Sequence, residues 1–141
     1  MAGRFPEKLG WFAKGDLLHL IMTLQLTIIL MLLAHLVADY TLQGWLADGK
    51  QKSWWKKLVP NLESTKYRYD YVMALFCHSL YWSIFICLPF LWHQWLWLAV
   101  VLNTIIHMVV DDLKANRFKL NLIQDQLLHF GQILITAGMM Q

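Results

Sequence analysis

Long stretches without charged residues dominate the chain. Residues 17–38 contain no Asp, Glu, Lys or Arg, and neither do the 40 residues from 71 to 110. Because a helix of ~20 apolar residues crosses a hydrocarbon core of ~30 Å, the first stretch predicts one spanning helix and the second predicts two. Pro89 and the polar-aromatic run 92–95 mark the turn between these two helices.

A fourth charge-poor stretch lies at residues 126–141, and it reaches spanning length when its helix begins near residue 120 and includes Asp125. The pattern therefore predicts an all-α membrane protein, a four-transmembrane-helix bundle built from two helical hairpins. Residues 1–141 form a single membrane domain in this interpretation. The predicted spans are 16–44, 70–90, 91–114 and 120–140.

Composition supports the same class of protein. Hydrophobic residues make up 58% of the chain and charged residues only 15%, whereas a soluble domain carries roughly 25% charged residues. A soluble enzyme, a disordered chain and a fibrous repeat are therefore not expected. Cys77 and Cys87 fall on different faces of one predicted helix, so they indicate no disulfide framework. The sequence contains no phosphate loop, dinucleotide fingerprint, zinc-finger spacing or nucleophile elbow.

The basic residues predict an orientation. Nine of the twelve Lys and Arg residues lie in the loop 45–69 and at 114–119, which share one side of a four-helix chain. The positive-inside rule places both segments in the cytoplasm of a multi-pass protein of the bacterial inner membrane. Residues 1–15 predict a short interfacial helix with Phe5, Leu9 and Phe12 on one face. The expected partners are the lipid bilayer, anionic lipid or a lipid-linked substrate, and not nucleic acid, while homo-oligomers stay open.

Polar side chains recur at helical spacing within the predicted spans. Ionisable groups there cost several kcal/mol, so they are candidates for function. At 1.5 Å rise per residue, the four histidines of this set fall ~10–13 Å below the cytoplasmic surface. The set comprises His35, Asp39 and Gln43 in the first helix, His78 in the second, Asn103, His107, Asp111 and Lys114 in the third, and Asp125, Gln126, His129 and Gln132 in the fourth.

The first and third predicted helices share a motif. Residues 35–39 and 107–111 both read His, apolar, Val, apolar, Asp, and both helices run towards the cytoplasm. This match predicts two hairpins related by an axis along the membrane normal, which would bring the histidines together.

Within each motif, imidazole and carboxylate lie one turn apart on one helix face, a geometry that suits chelation of a divalent metal. We predict a metal centre with zinc as the first choice and manganese or iron as alternatives. A hydrogen-bonded polar core that fixes helix register is the competing interpretation. Gln43, Asn103, Lys114 and Gln126 would support the centre. The candidate metal ligands are His35, Asp39, His78, His107, Asp111 and His129.

Taken in order, the motifs form one extended pattern. It runs from His35-x-x-x-Asp39-x-x-x-Gln43 through Lys50 and His78 to His107-x-x-x-Asp111-Asp112-x-Lys114 and Asp125-Gln126-x-x-His129. This pattern resembles a family of small polytopic inner-membrane proteins of bacteria and phages whose function is unknown. The resemblance covers residues 25–135, and it implies a polytopic membrane protein without implying an activity.

Three functions agree with these observations. The first is a metal-dependent, membrane-embedded hydrolase that acts on a lipid-linked or phosphate-bearing substrate from the cytoplasmic side. In that hydrolase the metal would activate water, Asp125 or Asp39 would act as the catalytic general base, and Lys114 would lie near a phosphate. The second is a proton or metal-ion relay or transport element. The third is an adaptor with a structural His/Asp core and basic loops that bind a partner or anionic lipid.

Overall fold

The computed structural model describes the backbone of residues 8–140 and the side chains of residues 16–140. Every regular element within that range is helical. A π-helical segment, Val37–Thr41, continues the first helix, and short 3-10 turns lie at Leu62–Ser64 and Leu88–Phe90. The α-helices are α1 (Lys8–Leu36), α2 (Leu46–Gly49), α3 (Lys52–Leu58), α4 (Asp70–Cys87), α5 (Leu96–Ala115) and α6 (Leu122–Met139).

Three helical stretches are long and apolar enough to cross a membrane: Asp16–Thr41, Asp70–Phe90 and Leu96–Ala115. They correspond to the first three predicted spans. α6 occupies the fourth predicted span but is not among them, because glutamines and Asp125 interrupt its apolar sequence. The predicted interfacial helix at 1–15 lies outside the described residues up to residue 7, and from Lys8 onward the backbone belongs to α1 without a break.

The four long helices pack in a ring. α1 contacts α4 and α6, and α5 contacts the same two helices from the other side. The α4–α5 interface is the most extensive of these contacts. Large apolar side chains fill the centre of the ring, among them Met31, Trp82, Ile86 and Ile133. Its outward faces are also apolar, as they are in a bundle surrounded by lipid.

The segment between α1 and α4 folds back across one end of the ring. The backbone N–H of Lys52 donates to Asn116 Oδ1 at 2.7 Å, and Asn116 Nδ2 donates to the Lys50 carbonyl at 3.1 Å. Lys52 also donates to Glu63, and this hydrogen bond lowers the pKa of the Glu63 carboxyl. Residues 45–69 and 114–121 therefore lie together, as the four-helix topology predicts, and we call this end of the bundle the basic end.

Candidate metal centre

Four histidines meet inside the ring, one from each long helix. The rings of His107 and His129 are stacked, with their centroids 4.2 Å apart and their planes 23° apart. The ring centroids of His78 and His107 are 5.1 Å apart. His35 lies 5.8 Å from His129 by the same measure. All four rings are buried. The histidines that the sequence places at one depth in four separate helices therefore form one cluster.

Three carboxylates lie among these imidazoles. His78 Nε2 is 3.2 Å from Asp39 Oδ1 and 3.4 Å from Asp111 Oδ2. His129 Nε2 is 3.4 Å from Asp111 Oδ1 and also 3.4 Å from Asp125 Oδ1. A buried carboxylate is costly unless a positive charge or hydrogen bonds compensate it, so three of them in one interior site require cations close by.

Two overlapping groups of these residues could hold a metal ion. Asp39, His78 and His107 form the Asp39 triad, and His107, Asp111 and His129 form the Asp111 triad; in each, the ligand atoms lie within 4.8 Å of one another. His107 Nε2 is 3.2 Å from His78 Nε2 and 3.7 Å from Asp111 Oδ2. Both triads contain His107, so for an ion bound through its Nε2 they describe alternative positions.

Unsatisfied atoms in the cluster fit this interpretation. Asp39 Oδ1, Asp125 Oδ1 and His129 Nε2 are buried and have no hydrogen-bond partner among the described residues. An orphaned buried acceptor costs about 1–3 kcal/mol, and a cation between these atoms would remove that cost.

The Nδ1 atoms of His107 and His129 also find no partner in the described part of the chain, so these rings do not make the second hydrogen bond that ligating histidines usually form.

Two lysines reach the centre from the basic end. Lys50 Nζ donates to Asp111 Oδ2 at 2.6 Å, and Lys114 Nζ donates to Asp125 Oδ2. Lys50 arrives there because Gly44, with φ +51°, turns the chain after the π-helical segment. In the sequence, Lys50 stands out only as part of the extended motif, because no regular spacing connects a loop lysine to α5.

Trp82 forms one wall of the cluster. Its indole N–H donates to His35 Nδ1 at 2.8 Å, and its ring stacks on His107 at 4.1 Å between centroids. A tryptophan in an apolar span is typical of a lipid-facing anchor, so the sequence did not single it out. The signal was its position four residues after His78, which places both side chains on the same face of α4.

His35 lies at the edge of the cluster. Its Nδ1 accepts the Trp82 hydrogen bond and its Nε2 is 3.1 Å from Gln126 Oε1, so both ring nitrogens have protein partners. Neither triad includes this histidine. Of the predicted supporting residues, Gln43 lies 3.1 Å from His78 Nε2 and Gln126 donates to Asp125 Oδ2 at 3.0 Å.

Asn103 lies away from the triads, one turn further from the basic end than His107. It accepts hydrogen bonds from Gln132 at 2.7 Å and from Thr136 at 3.1 Å through Oδ1. These three side chains join α5 to α6 and form a separate polar network.

Asp39 sits within the π-helical segment Val37–Thr41. The sequence predicted an α-helix as far as residue 44, because a π turn has no strong sequence signal. Such turns are rare and occur frequently at functional sites, where they reposition a side chain. Here the turn lies where α1 supplies its carboxylate to the centre.

The fold and the centre define an all-helical protein whose buried His/Asp cluster could hold a metal ion. Imidazole nitrogens and carboxylate oxygens in a dry interior suit zinc, manganese or iron. Comparisons of the chain with models of protein families, with curated proteins and with solved structures gave no match.

Proposed function

We propose that this protein is a metal-dependent hydrolase of the bacterial inner membrane that acts from the cytoplasmic side on a lipid-linked or phosphate-bearing substrate. The observation that carries the proposal is the pair of overlapping His/Asp triads with a lysine ammonium at two of the carboxylates. Metal ligands and cations at one buried site suit the stabilisation of a phosphate and its transition state.

The orientation of α6 supports a four-span topology. Asp125, His129 and Gln132 are only 1%, 0% and 6% exposed, whereas Leu127 and Ile135 on the outward face are each 65% exposed. The residues that lower the hydropathy of α6 therefore face the bundle, and its outer face is as apolar as lipid requires. The positive-inside rule then places the basic end in the cytoplasm. The motif resemblance to small polytopic inner-membrane proteins agrees with this location.

The residues of the centre divide into two roles when zinc, manganese or iron occupies the Asp111 triad. A divalent ion there would polarise a phosphoryl oxygen and lower the pKa of a water molecule. Asp39 would remain free to take a proton, because in the described part of the chain it forms no lysine pair and its Oδ1 has no hydrogen-bond partner. Asp125 is the weaker candidate for general base, since it accepts from both Lys114 and Gln126.

The test is metal-dependent release of inorganic phosphate from phosphatidic acid or a prenyl diphosphate in mixed micelles. We expect turnover in the wild type with zinc, manganese or ferrous iron. Asp39→Asn and His107→Gln should lower it at least 100-fold, the lower limit for loss of a general base or a ligand. His19→Gln, an exposed histidine on α1, is the matched control. Turnover that survives in both centre variants, or no turnover with any of the metals, would refute the hydrolase.

A second candidate function is a proton or metal-ion relay. The network of Asn103, Gln132 and Thr136 favours it, because these buried side chains lie beyond the histidines on α5 and α6 and reach to within one turn of the far end of α6. Reconstituted vesicles distinguish the two functions. A relay would move protons or zinc down an imposed gradient without any lipid phosphate, and Gln132→Leu would stop it, whereas a hydrolase would show neither effect.

A further inference from the structure

A long apolar groove runs between α5 and α6 on the outside of the bundle. Its volume is about 630 Å³, within the range of ~300–1,000 Å³ that is usual for small-molecule sites. The groove is lined mostly by apolar side chains, and Asn103, Gln132 and Thr136 also contribute to its wall. The residues that matter below are Leu98, Leu102, Ile106 and Val110 from α5, with Leu127 and Gly131 from α6.

The shape of this α5–α6 groove suits an extended chain. Leu98 and Val110 are twelve positions apart on one helix, or about 18 Å at 1.5 Å per residue. That length matches a hydrocarbon chain within one leaflet, since half of a ~30 Å hydrocarbon core is ~15 Å. Gly131 lines the groove, and a Cβ added there would meet no atom within 4 Å, so there is open space at this point.

A lysine lies beyond the basic end of the groove. Lys114 lies one turn beyond Val110 on α5, and its Nζ crosses to Asp125 Oδ2 on α6. Its side chain is 35% exposed, so part of it is reachable from solvent although its ammonium is paired with Asp125. Asp125 and His129 belong to the metal centre and lie on the inner side of the same helix. An anionic group at Lys114 would therefore lie next to the centre.

We infer that the α5–α6 groove binds the hydrocarbon chain of an anionic lipid and that Lys114 binds the phosphate of that lipid. The inference rests on the proposed function, because it assigns the substrate of the metal centre to lipid phosphates rather than to water-soluble ones. A lysine beyond one end of a mostly apolar groove fits an amphiphile with one charged head. A second copy of this chain would instead bring an apolar helix face, which offers no anionic group to the ammonium.

The test uses radiolabelled hexadecyl phosphate and the full chain in dodecyl maltoside, with binding measured at equilibrium. Gly131→Phe fills the groove, and we expect it to weaken binding at least tenfold. Gly138→Phe is the matched control, since Gly138 is also open at Cβ but lies outside the groove, and its affinity should stay within twofold of the wild type.

The head-group interaction is tested by competition with hexadecyltrimethylammonium, which has the same chain and the opposite charge. The wild type should prefer the phosphate, and Lys114→Met should lower that preference at least fivefold. Both binding assays are run with a chelator present, so a failed metal centre leaves this test intact. If the groove instead joins two copies of the chain, the wild type would be a dimer and Gly131→Phe a monomer. That result, equal affinity for both amphiphiles, or wild-type binding by Gly131→Phe would each overturn the inference.

Discussion

Lys50 Nζ lies 2.6 Å from Asp111 Oδ2, the carboxylate oxygen that also faces His78 Nε2 at 3.4 Å. A protein ammonium therefore contacts an oxygen that a metal ion would use. Two cations at such a distance repel each other strongly in a buried site, where screening is weak. Lys50 and a divalent ion each neutralise the Asp111 carboxylate, and because they repel each other they compete for it.

This competition predicts that Lys50→Met increases the affinity for metal. With the ammonium removed, we expect the Kd for zinc to fall at least tenfold, measured by competition with a chromophoric chelator. Lys56→Met is the control, because Lys56 lies in the same basic loop but its side chain is 58% exposed and far weaker in its ion pairing. A Kd that rises in Lys50→Met would mean that this lysine assists metal binding instead.

The same variant should be less stable when metal is absent. Breaking a buried ion pair leaves an uncompensated carboxylate, and the cost is about 3–5 kcal/mol. We expect Lys50→Met to lose that much in the free energy of unfolding with a chelator present, and to regain most of it when zinc is added. The double variant Lys50→Met/Asp111→Asn should be more stable than Lys50→Met alone in the chelator. Independent, additive losses from the two substitutions would contradict the pairing.

Loss of ligands should remove the metal without unfolding the protein. His107→Gln and Asp111→Asn are expected to carry no stoichiometric transition metal after mild extraction, measured by elemental analysis, because each removes a ligand shared by or central to the triads. His19→Gln should keep the wild-type content. If the wild type itself carries none, and zinc raises its Tm no more than that of His107→Gln, the cluster is a hydrogen-bonded core.

Trp82 should contribute to stability through its hydrogen bond to His35. Trp82→Phe keeps an aromatic ring against His107 but removes the indole donor and leaves a cavity beside a fully buried side chain, so we expect a loss of more than about 1 kcal/mol in the free energy of unfolding. Unfolding in mixed micelles of increasing SDS fraction measures it. Trp92→Phe provides the comparison, since Trp92 is 98% exposed and should show no change. Equal effects of the two substitutions would remove the structural role of the hydrogen bond.

The proposed topology predicts which ends of the bundle are accessible. In a background with Cys77→Ala and Cys87→Ala, we expect Ser53→Cys to react with an impermeant maleimide only from the cytoplasmic side. Gln94→Cys, in the turn between α4 and α5, should react only from the opposite side. Both positions are exposed, so burial does not explain a difference. Reversed labelling would invert the topology and move the metal centre towards the periplasmic face.

Helical periodicity predicted the centre to the extent that its residues lie on regular helices. Two pairs follow the four-residue spacing of a helix face: His107 and Asp111 in α5, and Asp125 and His129 in α6. Burial of these two faces brings the pairs together. The same spacing selected His35, whose nitrogens bind Trp82 and Gln126, because periodicity fixes a face and not the partner across the interface.

The remaining features depend on irregular backbone or on tertiary contacts. The π turn at Val37–Thr41 changes the register of α1 by local hydrogen bonding that propensity does not encode. Lys50 reaches Asp111 only through the turn at Gly44 and the contacts of Asn116 with the basic loop. Composition and charge predict that this loop lies at one end of the bundle, but they do not predict that the Lys50 side chain contacts Asp111.

The origin of the ligands in different helices has a consequence for biogenesis. The Asp39 triad draws on the π-helical segment after α1, on α4 and on α5, whereas the Asp111 triad also needs His129 from α6. Chains are synthesised from the N-terminus, so the first triad can assemble as soon as α5 has packed against α4. The second becomes available only when α6 docks. An ion captured early would therefore be held by the Asp39 triad, and the docking of α6 would offer it a second set of ligands.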